Sequence, residues 1–373
     1  RRRHTRCSRW SRGLGDVYKR QTTYRPPAPG RTAEDEVPDA VVDALRDTEG
    51  DILVFLAGAA DINRAARALG GRLGGDVVVT PLHGSLPPDA QDRALQPDPS
   101  GRRKVVLATP IAETSVTIDG VRTVIDTGRR RRPEIDHGRG MSRLRTVSAS
   151  RASTDQRRGR AGRQAPGTCI RLWPEADQAR RRAEDTPEIM TADLTGLALQ
   201  LAAWGATDAS ELPWLDAPPE VALSAGRGVL TGLGAIDDSR RLTSHGRRMA
   251  DIGAEPRLAH LLLEGAERGD GATACDLAAL LADRDLLRGR DRPTDLAERL
   301  DALAGRSEAS IDPAARGRAR ESSRRWRREL GIAADASADP DRLGPLVSLA
   351  FPERIAQRRR DPGSFLLASG AGA

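Results

Sequence analysis

Gly50-Asp51-Ile52-Leu53-Val54-Phe55-Leu56 is a short, unbroken apolar run that begins after turn residues. A strand that is apolar at every position, not at alternate ones, is covered on both faces, as in a parallel sheet. Gly58 follows. Ile62, Ala65, Ala66 and Leu69 then recur at helical spacing before Gly70-Gly71 stops the helix. Outward from this unit the pattern repeats. Val77-Val78-Val79 predicts a strand, with Thr80-Pro81-Leu82-His83-Gly84-Ser85 as a polar loop at its end. A helix is expected from about Pro88 to Leu95. Further strands are expected at Lys104–Ala108, Val121–Asp126 and Thr168–Trp173. Strands alternating with helices define an α/β fold with a parallel sheet, and such sheets bind ligands beyond the carboxyl ends of their strands.

Charged residues make up 30% of the 373-residue chain and aromatics only 3%, so its cores must be built from Leu, Val, Ile and Ala. The chain is long enough for two or three domains. No apolar run approaches the roughly 18 residues of a membrane helix. Cys7, Cys169 and Cys275 are isolated, which points to a reducing, cytosolic setting without a disulfide framework. The pI of 10.2 overstates the basic character. Residues 1–21 carry a net +7, the whole formal charge of the chain, so the remainder is neutral. That leader has no apolar segment of a secretory signal. Its texture is that of a non-native, disordered adapter; a basic nucleic-acid arm is the alternative. Only Lys19 and Lys104 are lysines, a bias expected of GC-rich coding sequence.

Within the neutral remainder, charge is concentrated. From Arg129 to Arg163 there are twelve arginines against Glu134, Asp136 and Asp155. This stretch ends in Gln156-Arg157-Arg158-Gly159-Arg160-Ala161-Gly162-Arg163. Arg160 and Arg163, three apart, would share one face of a helical turn. Gly159 and Gly162 would let an anion approach the backbone, and guanidinium groups take phosphate oxygens bidentately. The run reads either as an arginine clamp for a polyphosphate or as a solvated basic turn. Upstream, Thr109-Pro110-Ile111-Ala112-Glu113-Thr114-Ser115-Val116-Thr117-Ile118-Asp119-Gly120 crowds hydroxyls and acids into a loop after a strand. Such a loop either contacts a phosphate backbone or caps a helix.

The strand at 52–56, the stretch from Ala108 to Gly120 and the stretch from Gln156 to Arg163, in this order, resemble the second RecA-like domain of DEAH-box superfamily 2 helicases, most of all the bacterial HrpB type. The resemblance continues through Asp193–Leu197, Trp214–Pro219 and Ala350–Ala356. It implies a RecA-like domain at 22–177, a winged-helix-like module at 178–240, a ratchet-like helical domain at 241–310, and a helical linker at 311–373. It implies that Gln156, Arg160 and Arg163 face the ATP γ-phosphate, that Gly159 and Asp119 lie on the nucleotide side, and that Thr109, Thr114 and Ser115 contact the nucleic acid. One departure is Pro110, where the family usually has Asn; Pro has neither an amide side chain nor an N–H. The implied function is one half of an ATP-dependent motor moving 3′-to-5′ on single-stranded RNA or DNA in the bacterial cytoplasm. The other function considered is a non-catalytic binding or adaptor module.

A RecA-type NTPase needs Gly-x-x-x-x-Gly-Lys-Ser/Thr to hold phosphates and Mg²⁺. Neither Lys19 nor Lys104 has that context, and there is no Asp-Glu-x-His. The chain is therefore expected to be a piece of a longer helicase, inactive without the first RecA-like domain, which would hold most of the ATP and Mg²⁺. Downstream, Leu194, Leu197, Ala198, Leu201 and Ala202 mark one apolar helix face. Apolar helices are expected at Arg248–Leu263 and Cys275–Leu287, exposed helices within 288–342, and a solvated Arg358-Arg359-Arg360. The winged-helix module is expected to be structural, with DNA binding as its alternative.

Overall fold

The computed structural model describes residues 20–373 apart from 115–116, 137–140, 163–165, 207, 290–291, 361–362, 371 and 373. The chain divides into one unit of residues 1–134 and 144–186 and another of 135–143 and 187–373. The first unit therefore runs beyond the boundary expected at 177.

The first unit is organised on six parallel strands: β1 (Arg20–Tyr24), β2 (Asp51–Phe55), β3 (Val77–Leu82), β4 (Arg103–Ala108), β5 (Val121–Asp126) and β8 (Gly167–Arg171). Their spatial order is β1-β8-β5-β2-β4-β3. Between β5 and β8, β6 (Arg129–Asp136) and β7 (Met141–Ser148) form a separate two-stranded sheet. The helices are α1 (Ala33–Asp47), α2 (Ala59–Leu69), α3 (Pro88–Leu95), α4 (Arg151–Arg158) and α5 (Glu175–Arg180). The apolar run of β2 explains itself in this arrangement. Successive side chains point to opposite faces, so Ile52 and Val54 join α1 and α2 residues such as Val37, Val41, Ile62 and Leu69. Leu53 and Phe55 enter a second core with Val106, Val124, Ala161 and Cys169. Each face is closed, as a parallel sheet requires.

Two details differ from the sequence expectations. β3 continues through Thr80-Pro81-Leu82, so the polar loop begins only at His83. Pro81 is tolerated because β3 is an edge strand. β1 begins at Arg20, and Arg20 and Gln21, assigned to the leader, pair with Gly167 and Thr168. The rest of that leader, residues 1–19, lies outside the described residues. Lys104 is buried within the sheet, and its Nζ donates to the Ala94 carbonyl at 3.0 Å, satisfying the end of α3. Burial lowers its pKa, opposed by the charge of Asp51. It serves the fold, not a phosphate.

The second unit is mainly helical: α6 (Thr195–Trp204), α7 (Glu220–Gly232), α8 (Ser244–Asp251), α9 (Pro256–Glu267), α10 (Gly271–Ala282), α11 (Leu296–Ala304), α12 (Pro313–Glu329) and α13 (Leu343–Ala350). A short antiparallel pair, β9 (Ala356–Arg358) and β10 (Phe365–Leu367), follows. One apolar core draws Leu201, Leu223, Leu258, Leu262, Leu277 and Trp326 together. The single helix expected at 248–263 is two. Gly253 has φ +65°, a left-handed conformation that favours glycine, and Pro256 starts α9 in the first turn. The Glu255 side chain accepts from Arg257 N at 3.2 Å and Leu258 N at 3.4 Å, capping α9. Burial pushes the Glu255 carboxyl up despite these bonds. α12 is not simply an exposed helix. Ala315, Ala319 and Trp326 are buried, and Arg327 Nη2 meets Asp276 Oδ2 at 3.0 Å. Arg358, Arg359 and Arg360 are exposed, as expected.

Candidate functional site

The arginine run occupies the end of α4 and the turn after it. Ser150 caps the helix, accepting from Ser153 N at 3.0 Å. Ser153 Oγ in turn donates to Glu113 Oε1 at 2.9 Å. One helical turn on, Arg157 is 0% exposed. Its Nε donates to Glu113 Oε1 at 2.7 Å and its Nη1 to Asp126 Oδ1 at 2.8 Å. Nη1 also reaches the Arg129 carbonyl at 3.2 Å. The guanidinium carbon lies 5.1 Å from the Phe55 ring centroid. Burial works against the charge of Arg157, but Asp126 and Glu113 outweigh it and raise its pKa. One arginine thus joins β2, β5, α4 and the loop after β4. It has no surface to offer a ligand, so the clamp read from the whole run excludes it.

α4 ends at Arg158, and Gly159 is its cap. Arg160 N and Ala161 N bond back to the carbonyls of Arg157 and Arg158, forming a turn. Gly162 has φ +72°, which glycine adopts without strain. Arg160 is therefore not on the helical face expected from its spacing with Arg163. It is 9% exposed and donates Nη2 to the Glu113 carbonyl oxygen. Arg163 lies outside the described residues, as does Ser115. Gln156 is exposed and Gly159 half-buried.

The loop after β4 runs from one edge of the sheet to the other. At the carboxyl edge, Thr109 N donates to Leu82 O at 3.1 Å. Pro110 opens a 3₁₀ turn over Pro110–Ala112. At a first helical position the missing N–H of proline leaves no partner wanting, and its φ is already suitable. The Pro110 departure is therefore accommodated by the backbone. Thr114 is exposed, while Glu113 beside it turns inward to Arg157. At the amino edge, the Gly120 carbonyl accepts from Asp51 N at 2.9 Å, which places the exposed Asp119 at the start of β2 and β5. Gly162 lies at this same edge: a Cβ built on Gly167 would fall 2.4 Å from Gly162 N and 2.8 Å from Arg122 O. Thr109 and Asp119 are thus separated by a strand's length, about 17 Å at ~3.3 Å per residue.

His83 follows β3 at the carboxyl edge and its Nδ1 is 2.6 Å from Ser85 Oγ. Part of the basic concentration between 129 and 163 is paired with acids, three of them far along the chain and one within it. Arg129 pairs with Glu34, Arg131 with Asp61, Arg130 with Asp185, and Arg145 with Glu134. The spacing of the run did not reveal Glu113 and Asp126 as the partners of Arg157. An acid closing the buried strand β5, and another in the loop after β4, were the available signal.

The parallel sheet with flanking helices is that of a RecA-like domain, and residues 36–165 match the helicase conserved C-terminal domain. Along most of its length the chain is similar to the ATP-dependent RNA helicase HrpB of Escherichia coli strain K12. It is 37% identical over 359 residues, covering 96% of this chain and 42% of that protein. A crystal structure of the Escherichia coli DEAH/RHA helicase HrpB superposes with a TM-score of 0.84 at 37% identity, over 95% of this chain and 43% of that one. The pre-mRNA-splicing factor ATP-dependent RNA helicase prp22 of Schizosaccharomyces pombe is 38% identical over 245 residues, 64% of this chain and 21% of that protein. The chain belongs to the DEAH/RHA helicases, in their HrpB-type branch. It spans about two fifths of the length of the HrpB relative.

Proposed function

We propose that the chain is the second motor domain and associated helical region of an ATP-driven translocase that moves 3′-to-5′ on single-stranded RNA or DNA. The observation that carries this is the two-edged loop after β4: Thr109 stands at the carboxyl edge and Asp119, beside the Gly159–Gly162 turn, at the amino edge. One continuous segment can then couple a strand-gripping end to a nucleotide-facing end. Arg160, with Arg163 and Gln156, faces the γ-phosphate and neutralises charge developing during transfer. Asp119 and Gly159 complete the nucleotide side; Thr109, Thr114 and Ser115 hold the backbone of the strand. ATP and its Mg²⁺ are held mainly by another RecA-like domain of the same protein. Residues 178–240 serve as a winged-helix-like module, 241–310 as a ratchet-like domain, and 311–373 as a helical linker. The protein works in the bacterial cytoplasm; no helix among the described residues is long and apolar enough to cross a membrane.

Two results test this reading. The chain alone turns over no ATP above background, because it has no phosphate-loop lysine. Steady-state hydrolysis by the purified chain that disappears in Arg160→Ala would sink that expectation. In the complete helicase, Thr109→Ala weakens strand binding and its stimulation of ATP hydrolysis by roughly tenfold, the cost of about 1.4 kcal/mol, and keeps basal turnover. Fluorescence anisotropy with labelled single strands and a coupled ATPase assay read both quantities. Loss of basal turnover with unchanged strand affinity would remove Thr109 from the gripping end.

A further inference from the structure

Between α8 and α9, three side chains of metal-binding type converge in a region that the nucleotide and strand assignments do not use. His245 lies in the first turn of α8, and His260 and Glu264 are one turn apart on α9. His245 Nε2 is 2.8 Å from His260 Nδ1, and the rings meet edge to face with centroids 5.0 Å apart. A ligand atom from each of His245, His260 and Glu264 lies within 4.8 Å of the other two, and all three residues are half-buried. Among the described residues no other set of His, Cys, Asp and Glu converges in this way.

We propose that His245, His260 and Glu264 form a binding site for one divalent transition-metal ion of the zinc class, which ties α8 to α9. Two imidazoles and a carboxylate are a ligand set zinc takes, with water in the fourth position. The nitrogens suit zinc better than Mg²⁺, which prefers oxygen ligands and holds its own water, so the Mg²⁺ that accompanies ATP is a poor competitor. Glu264 is already oriented, since its Oε2 accepts from Arg268 Nη2 at 3.0 Å. Arg248 is paired with Glu267 across the same two helices, which offsets its charge.

The metal-free geometry is that of two rings sharing a proton. An ion about 2.05 Å from each nitrogen at a tetrahedral angle needs them about 3.3 Å apart. The rings must therefore open by roughly half an ångström, and the bridging proton moves to the other nitrogen of its own ring, so that each neutral ring keeps one N–H. The remaining N–H groups then sit on His245 Nδ1 and His260 Nε2.

The test uses the whole chain, freed of metal by dialysis against chelator and titrated with Zn²⁺ in excess Mg²⁺. Calorimetry is expected to show one Zn²⁺ per chain. Melting is expected to rise by about 5 °C at a hundredfold excess over Kd. His245→Ala and His260→Ala each lower affinity at least tenfold, and Glu264→Gln lowers it less. Circular dichroism checks that each variant is folded. If His260→Ala does not fold, His245→Ala and Glu264→Gln decide the matter. Absence of binding at about 100 μM Zn²⁺ would leave only a histidine–histidine hydrogen bond between helices. Binding of unchanged affinity in the folded variants would place the ion elsewhere; either result overturns the site.

Discussion

Arg160→Lys in the complete helicase lowers ATP turnover by between roughly tenfold and a thousandfold and leaves strand affinity nearly unchanged. An arginine finger contributes on the order of 10³-fold or more to phosphoryl transfer. Lysine keeps the positive charge but loses the planar fork that meets two phosphate oxygens at once, so part of that factor survives. The structure supplies a competing role that the experiment must separate. Arg160 also donates to the Glu113 carbonyl, within the segment that leads back to Thr109. If holding that segment were its main task, the lysine variant would melt earlier and bind the strand less well while sparing basal turnover. Basal ATPase, stimulated ATPase, strand affinity and melting temperature measured together distinguish the two. Weakened strand binding with intact turnover would take the turn at Gly159–Gly162 off the nucleotide side.

Arg157→Met costs the first unit about 3–5 kcal/mol of stability, the usual penalty for removing one partner of a buried ion pair. Methionine fills much of the space but leaves Glu113 and Asp126 without their cation. Asp126 would keep the Gly128 N–H, at 2.7 Å, and Glu113 the Ser153 hydroxyl, at 2.9 Å. These neutral donors replace only part of what is lost. A chemical-denaturation midpoint for the whole chain reads the loss. A variant within about 1 kcal/mol of the parent would show that the buried arginine is replaceable by packing alone, as some buried ion pairs are. The contrast between the neighbours is the informative part: Arg157→Met is expected to act on stability and Arg160→Lys on turnover.

Strands buried on both faces were legible. β2, β4 and β5 were expected within one residue of where they lie, because continuous apolar runs bounded by turn residues have few other readings. α3, with proline in its first turn, was expected with its observed bounds. β1 was not legible. Arg-Gln-Thr-Thr-Tyr has no apolar run, and it is a strand because β8 offers it an edge to pair with. β6 was hidden for a related reason, since Arg-Arg-Arg-Arg-Pro-Glu-Ile-Asp reads as a basic run until Glu34, Asp61 and Asp185 arrive to neutralise it.

The sequence by itself determined the α/β order of elements, because apolar periodicity acts locally along the chain; the family was legible only through the resemblance carried by the stretches Ala108–Gly120 and Gln156–Arg163. Only the tertiary structure decided which arginine of the run is core. That choice rests on Glu113 and Asp126, 44 and 31 residues before Arg157, brought together by the parallel sheet. The meeting of His245 with His260 and Glu264 is of the same kind: it requires the helix to end before Gly253 and a new one to start at Pro256, so that one helix packs against another. Charge and ligand geometry depend on distance in space, and spacing in sequence reports that distance only within a single element.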